Sequence, residues 1–256
     1  MLGAICGDII GSIYEQDNLK SKDFPLFQKT CKFTDDTVLT CAIADAILHG
    51  RPFVDNLKKF YNFYPKAGYG FMFSKWAKSL ERRGYNSFGN GSAMRVSPIA
   101  WAYDCLSEVL KQAEASAAVT HDHPEGIKGA QAIAGAILKA RMGASKEEIK
   151  SFATSFGYDL DFTLDAIREE YQFYATCQQS VPQAVVAFLE STDFEDAIRN
   201  AISIGGDSDT IACITGSIAE AFYDGVPEAI AEETFSFLDS RLRGIFDLFR
   251  DKYLPQ

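Results

Sequence analysis

Basic residues are the scarcer charge in this 256-residue chain: 25 Lys and Arg stand against 35 Asp and Glu, a formal charge of −10. No Lys/Arg block breaks the acidic excess, which excludes strong binding to a nucleic-acid backbone, because that needs a basic face. The six cysteines (Cys6, Cys31, Cys41, Cys105, Cys177, Cys213) form no CxxC pair, so neither a zinc site nor a disulfide framework is indicated. Lys20 is the first basic residue and Asp8 interrupts the apolar start, so no signal peptide is expected. No stretch of about 18 apolar residues occurs, and no membrane partner is expected. Buried, reduced thiols in a cytoplasmic protein are the expectation. Strand signals are also missing: no run of β-branched residues alternates, and Asn90-Gly91 sits among Gly89, Ser92 and Ala93 rather than between two such runs. No Pro/Ser-rich linker or internal repeat divides residues 1–256, which are read as one domain.

What is present is a core-forming composition, 47% hydrophobic and 13% aromatic, with helical periodicity. Val38, Leu39, Ala42, Ile43, Ala46 and Ile47 recur at helical spacing after Asp36, with His49 as a C-terminal dipole partner and Gly50 as C-cap. Ile211, Ile214, Ile218 and Phe222 form a second stripe after Asp209, beside a face of Ala212, Gly216 and Ala219 small enough to admit another helix closely. Further helices are predicted over Val54–Tyr64, Ser107–Val119, Gly126–Met142, Lys146–Phe156, Pro182–Glu190, Phe194–Ile204, Pro227–Glu233 and Phe235–Phe249. Residues 17–33 fit no element. The expectation is an all-α protein.

Two segments stack acids and hydroxyls where a helix needs only one cap: Thr34-Asp35-Asp36-Thr37 and Gly205-Gly206-Asp207-Ser208-Asp209-Thr210. Singly, each is explained by N-capping through Thr34 or Asp207, with extra acids favoured by the helix dipole. Together they offer another reading. Neighbouring residues diverge by about 100° around a helix, so Asp35 and Asp36 reach different points from one turn, and Thr34 adds a neutral oxygen. Asp207 and Asp209 converge only if the Gly205-Gly206 turn is non-helical. Oxygen donors without His or Cys suit a hard cation, Mg²⁺ or alternatively Mn²⁺. Four carboxylates exceed the need of one Mg²⁺ ion, so a pair of ions about 3.5–4 Å apart is expected. Without cations the cluster would repel itself.

The loop Asn86-Ser87-Phe88-Gly89-Asn90-Gly91-Ser92 can approach a phosphate or sugar closely, with Phe88 available to stack on a ring. Thr120-His121-Asp122-His123-Pro124 reads as the start of a helix that carries one functional imidazole, His121, rather than as a metal site.

In order, Gly3-Ala4-Ile5-Cys6-Gly7-Asp8-Ile9-Ile10-Gly11-Ser12-Ile13-Tyr14-Glu15, Phe33-Thr34-Asp35-Asp36-Thr37, Gly89-Asn90-Gly91-Ser92-Ala93-Met94-Arg95, Thr120-His121 and Gly205-Gly206-Asp207-Ser208-Asp209-Thr210 resemble the ADP-ribosylglycohydrolase family, of the dinitrogenase-reductase-activating glycohydrolase type. The resemblance implies an all-α fold with a binuclear magnesium centre in a cleft that receives ADP-ribose. It implies Thr34, Asp35, Asp36, Asp207, Asp209 and Thr210 as metal ligands, and Glu15, on the same helix as Asp8, as an acid that in some members closes over or vacates the metal site. Ser87, Phe88, Gly89, Asn90 and Gly91 would hold the diphosphate or a ring, and His121 the distal ribose. Ile9-Ile10 and Ile13-Tyr14 depart from the commoner Gly-Asp-Ala-Leu-Gly-x-Pro form, which bears on substrate subclass. The implied reaction hydrolyses the bond at the anomeric carbon of the distal ribose, freeing ADP-ribose from a protein side chain such as arginine or serine, from a nucleobase, or from an acetyl ester. Asp36 and Asp209 are candidates for taking the water's proton, with Glu15 in reserve. The rival readings are a catalytically silent ADP-ribose binder and a Mg²⁺-dependent phosphohydrolase.

Overall fold

In the computed structural model, which describes residues 1–254, fifteen helices surround one continuous apolar core. The chain passes from α1 (Leu2–Gly11) through an irregular strap to α2 (Asp35–His49), α3 (Phe53–Phe63) and α4 (Phe71–Lys78). Short helices α5 (Gly91–Met94) and α6 (Ser97–Ala102) lead to α7 (Leu106–Ala118) and α8 (Pro124–Arg141), then α9 (Lys146–Thr154) and α10 (Leu164–Ile167). Next come α11 (Cys177–Leu189), α12 (Phe194–Ser203) and α13 (Ser208–Phe222). Finally α14 (Glu228–Ser236) and α15 (Ser240–Tyr253) return to α1 and α2. Among the described residues there is no strand, only an isolated antiparallel bridge between Gly89 and Thr176. None of these helices is long and apolar enough to cross a membrane.

Helices α1 and α13 form the spine. Every residue of α1 is buried, and α13 is buried from Ser208 to Ala221, as expected of helices that are apolar nearly all round. Their close approach depends on glycine: a methyl at Gly7 would lie 2.0 Å from the Ala212 carbonyl oxygen, and one at Gly3 2.1 Å from that of Gly216. The small face anticipated around Ala212 and Gly216 is therefore the seat of α1. Because Gly11 abuts the backbone at Ser208 and Asp209, this contact also fixes α1 against the N-terminus of α13.

Three local expectations change. The predicted Phe235–Phe249 helix is two helices, broken where the Asp239 carboxylate accepts from the backbone N–H groups of Arg241 and Leu242 and starts α15 anew. Pro182 does not open its helix but lies inside α11, where buried neighbours on both sides outweigh one lost ladder bond. Glu15 does not share a helix with Asp8: α1 ends at Gly11, where the Ser12 hydroxyl donates to the Ile9 carbonyl, and Glu15 stands in the turn beyond. The unassigned strap is pinned by distant side chains. Lys20 Nζ donates to the carbonyls of Tyr171 and Ile204, both at 2.6 Å, and Arg199 donates to those of Lys22 and Phe24. The six thiols are free, and all but Cys105 are buried.

Candidate active site

The acids at the N-terminus of α2 are released for chemistry because other groups cap the helix. Thr34 is extended at φ −114°, and its hydroxyl accepts from the Asp36 N–H at 3.3 Å. Asp8, reaching across from α1, accepts from the backbone N–H groups of Thr34 at 2.9 Å and Thr37 at 3.0 Å, and from the Thr34 hydroxyl at 2.6 Å. Satisfying these orphan donors leaves Asp35 and Asp36 uncommitted to capping. At α13 the turn is made by Gly205 and Gly206 at φ 68° and 79°, the left-handed region that removes Asp207 from helical geometry. Asp207 occupies the N-cap position without capping, and its carboxylate accepts instead from Asn90 Nδ2 at 2.7 Å. The Thr210 hydroxyl donates to Asp36 at 3.3 Å, tying the two helix starts together.

The two segments therefore meet. Carboxylate oxygens of Asp8, Asp36 and Asp209 lie within 4.8 Å of one another, as do those of Glu15, Asp207 and Asp209, so Asp209 belongs to both groups. Asp35 adds its charge beside them. Burial first, then the neighbouring acids, push the carboxyls of Asp35, Asp36 and Asp209 well above their ordinary range. Burial also raises Asp8 and Asp207, although hydrogen bonds oppose it. Glu15 is only half-buried and is raised by burial and Asp207, with Lys32 pulling the other way. One buried oxygen of Asp36 has no hydrogen-bond partner among the described residues. An oxygen-only donor set, an orphaned carboxylate oxygen and uncompensated like charge together fit a hard divalent cation.

All of these acids but Asp8 line a cleft of about 490 Å³, within the range of small-molecule sites. Ser87, Gly89, Asn90, Gly91 and His121 line it as expected. Phe88 does not; it stands 46% exposed with its ring edge-on to His123 at 5.4 Å. His123 caps α8, accepting from the Glu125 N–H at 3.1 Å. The sequence reading missed Asp8 as the clamp, although a lone acid in an otherwise apolar helix was the signal. It also missed Arg95, fully buried behind the cleft, and the rim residues Lys32, Lys66, Phe71, Met72 and Phe173.

The family model described as ADP-ribosylglycohydrolase matches residues 1–253. ADP-ribosylhydrolase ARH3 of Homo sapiens is 29% identical over 90% of this chain and 86% of its own length. ADP-ribosylarginine hydrolase Tri1 of Pseudomonas putida (strain GB-1) is 25% identical over 91% of this chain and 72% of its own. The solved structure of an ADP-ribosylglycohydrolase-related protein complex superposes with a TM-score of 0.73 at 24% identity, over 98% of this chain and 96% of that one, a likeness of fold.

Proposed function

The chain belongs to the ADP-ribosylglycohydrolase family and is an enzyme of it, and from that premise we propose a divalent-cation-dependent hydrolase that frees ADP-ribose from a modified acceptor. The bond cut is the one at the anomeric carbon of the distal ribose, and the acceptor is a protein side chain such as arginine or serine, or a nucleobase. The observation that carries the reading is the convergence of Thr34, Asp35 and Asp36 with Asp207, Asp209 and Thr210 on the floor of one cleft, without a lysine or arginine ion-paired to any of their carboxylates among the described residues. These six residues would hold two Mg²⁺ ions, or Mn²⁺, the membership of Asp209 in two carboxylate groups suiting a shared ligand. Bound there, the ions would supply the positive charge that orders ribose hydroxyls and makes a water more acidic.

The chain's own groups do the rest. Gly89 and Gly91 leave the loop without side chains, so a diphosphate or ribose can approach its backbone, with Ser87 beside it. Of the proton acceptors, Asp36 already accepts from the Thr210 hydroxyl and Asp209 from the Thr210 N–H at 2.9 Å. Glu15 carries no side-chain hydrogen bond among the described residues and has an affinity for protons raised by burial and by Asp207. It is the carboxylate freest to take the water's proton.

The test is a panel of arginine- and serine-linked ADP-ribosyl peptides, an ADP-ribosylated oligonucleotide and the acetyl ester of ADP-ribose, each followed by product mass. Free ADP-ribose from at least one substrate is expected. Free phosphate without ADP-ribose would replace this reading with a phosphohydrolase.

A further inference from the structure

We infer that Thr120, held by the buried guanidinium of Arg95, is a positioning residue that fixes His121 as the tautomer protonated on Nε2, so that the imidazole serves the cleft as a hydrogen-bond donor. Arg95, at the end of α5, is fully buried, and its Nη2 donates to the Ser116 carbonyl at 2.9 Å and to Thr120 Oγ1 at 2.8 Å. A guanidinium has no acceptor, so the Thr120 hydroxyl must accept in that bond. The same oxygen lies 2.7 Å from His121 Nδ1. Among the described residues no other acceptor meets the hydroxyl proton, so the proton goes to Nδ1.

The opposite tautomer would make the hydroxyl accept twice and strand its own proton in a residue with no exposure, the expensive case of a buried unsatisfied donor. The Nε2 edge of the ring faces Gly89 and Gly91: a methyl at Gly91 would lie 3.2 Å from Nε2, and one at Gly89 3.4 Å. Glycine at both positions leaves that edge accessible to what occupies the cleft. Burial, and then the charge on Arg95, hold the His121 pKa well below its ordinary value, so the ring is neutral.

With Nδ1 engaged and Nε2 protonated, a neutral imidazole has no lone pair to offer. It donates to a phosphate or ribose oxygen and takes no proton from water, which leaves that task to the carboxylates. The role toward ligand rests on the ADP-ribose reading of the cleft; the tautomer does not.

Nitrogen-15 spectra of histidine-labelled, ligand-free protein test it. The chain has three histidines, so His49→Gln and His123→Gln assign the signals. Expected are a protonated Nε2 and a bare Nδ1 on His121, in the parent and in Thr120→Ser. In Thr120→Val a mixture of tautomers is expected, with ADP-ribose bound about tenfold more weakly. A protonated Nδ1 in the parent overturns the inference even if Thr120→Val fails to fold, and so does an unchanged tautomer in a folded Thr120→Val. A protonated Nε2 in a parent protein that releases no ADP-ribose from any substrate upholds the inference and counts against the proposed reaction.

Discussion

The two ends of α2 handle acid in opposite ways. At its N-terminus, where the helix dipole favours negative charge, Asp35 and Asp36 have pKa values raised well above the ordinary range, first by burial and then by neighbouring acids. Near its C-terminus, where the dipole disfavours a carboxylate, Asp45 is held below that range. Burial pushes Asp45 up too, but Asn56, Lys59 and Arg51 outweigh it. Asp45 lies 2.7 Å from Arg51, 3.1 Å from His49 and 3.3 Å from Lys59. Helix position therefore decides little; what decides is whether the protein supplies partners that oppose burial. Asp45 has the Asn56 amide and the cations Lys59 and Arg51. Among the described residues no Lys or Arg is ion-paired to Asp35, Asp36, Asp207 or Asp209, which leaves a charge that an external cation can balance.

The largest effect that would break this contrast is on activity. Asp209→Asn should lower ADP-ribose release by about a thousandfold or more, since it removes the carboxylate common to both groups. The same change should raise the melting temperature of metal-free protein, because it relieves repulsion, while abolishing the stabilisation that Mg²⁺ gives. A variant that melts lower without metal would deny that the cluster is strained. At the other end of the helix the sign reverses. Asp45→Asn should cost about 1–2 kcal/mol in urea unfolding through lost charge-assisted hydrogen bonds, and should leave the Mg²⁺ response intact.

The pH dependence separates the two regions. Carboxyls raised in the fold bind protons that the unfolded chain has already lost, so metal-free stability should increase as pH falls from neutrality toward the ordinary carboxylate range, and saturating Mg²⁺ should flatten that slope. Asp45 is lowered in the fold, so its contribution is full above the ordinary carboxylate range and is lost as pH falls through its folded value. Asp45→Asn should therefore lower the melting temperature above the ordinary carboxylate range, and the deficit should shrink along the acid limb of a melting curve measured against pH. The smallest effect belongs to Lys59→Ala. Its ammonium is half-exposed and Arg51 remains, so a loss below about 1 kcal/mol is expected by the same unfolding measurement.

The same contrast explains what was legible in the sequence. The two acidic segments that meet at the cleft were, because their signals are local: capping residues, paired acids and a diglycine turn all lie within six residues of the helices they open. The small face on α13 was legible too, though not that Gly3, Gly7 and Gly11 of α1 would fill it. The partners of a carboxylate were not, because they come from afar. Nothing near Asp36 in the chain announces Asp8 beneath it, and nothing near Asp45 announces Lys59 on the next helix. The rim of the cleft was hidden for the same reason. Phe71 and Met72 come from the start of α4 and Phe173 from the loop before α11, and their exposure marks them only once the cleft exists. Phe88 shows the converse, since a residue correctly placed on a lining loop points away from the cavity because adjacent side chains on an extended loop diverge.

The central claim is that the acidic floor works only with cations from outside the chain. ADP-ribose release from one sample, measured before chelation with EDTA, after it, and again after Mg²⁺ or Mn²⁺ is restored, tests that claim directly. Activity that disappears and returns is the expected result; undiminished release in EDTA would contradict it.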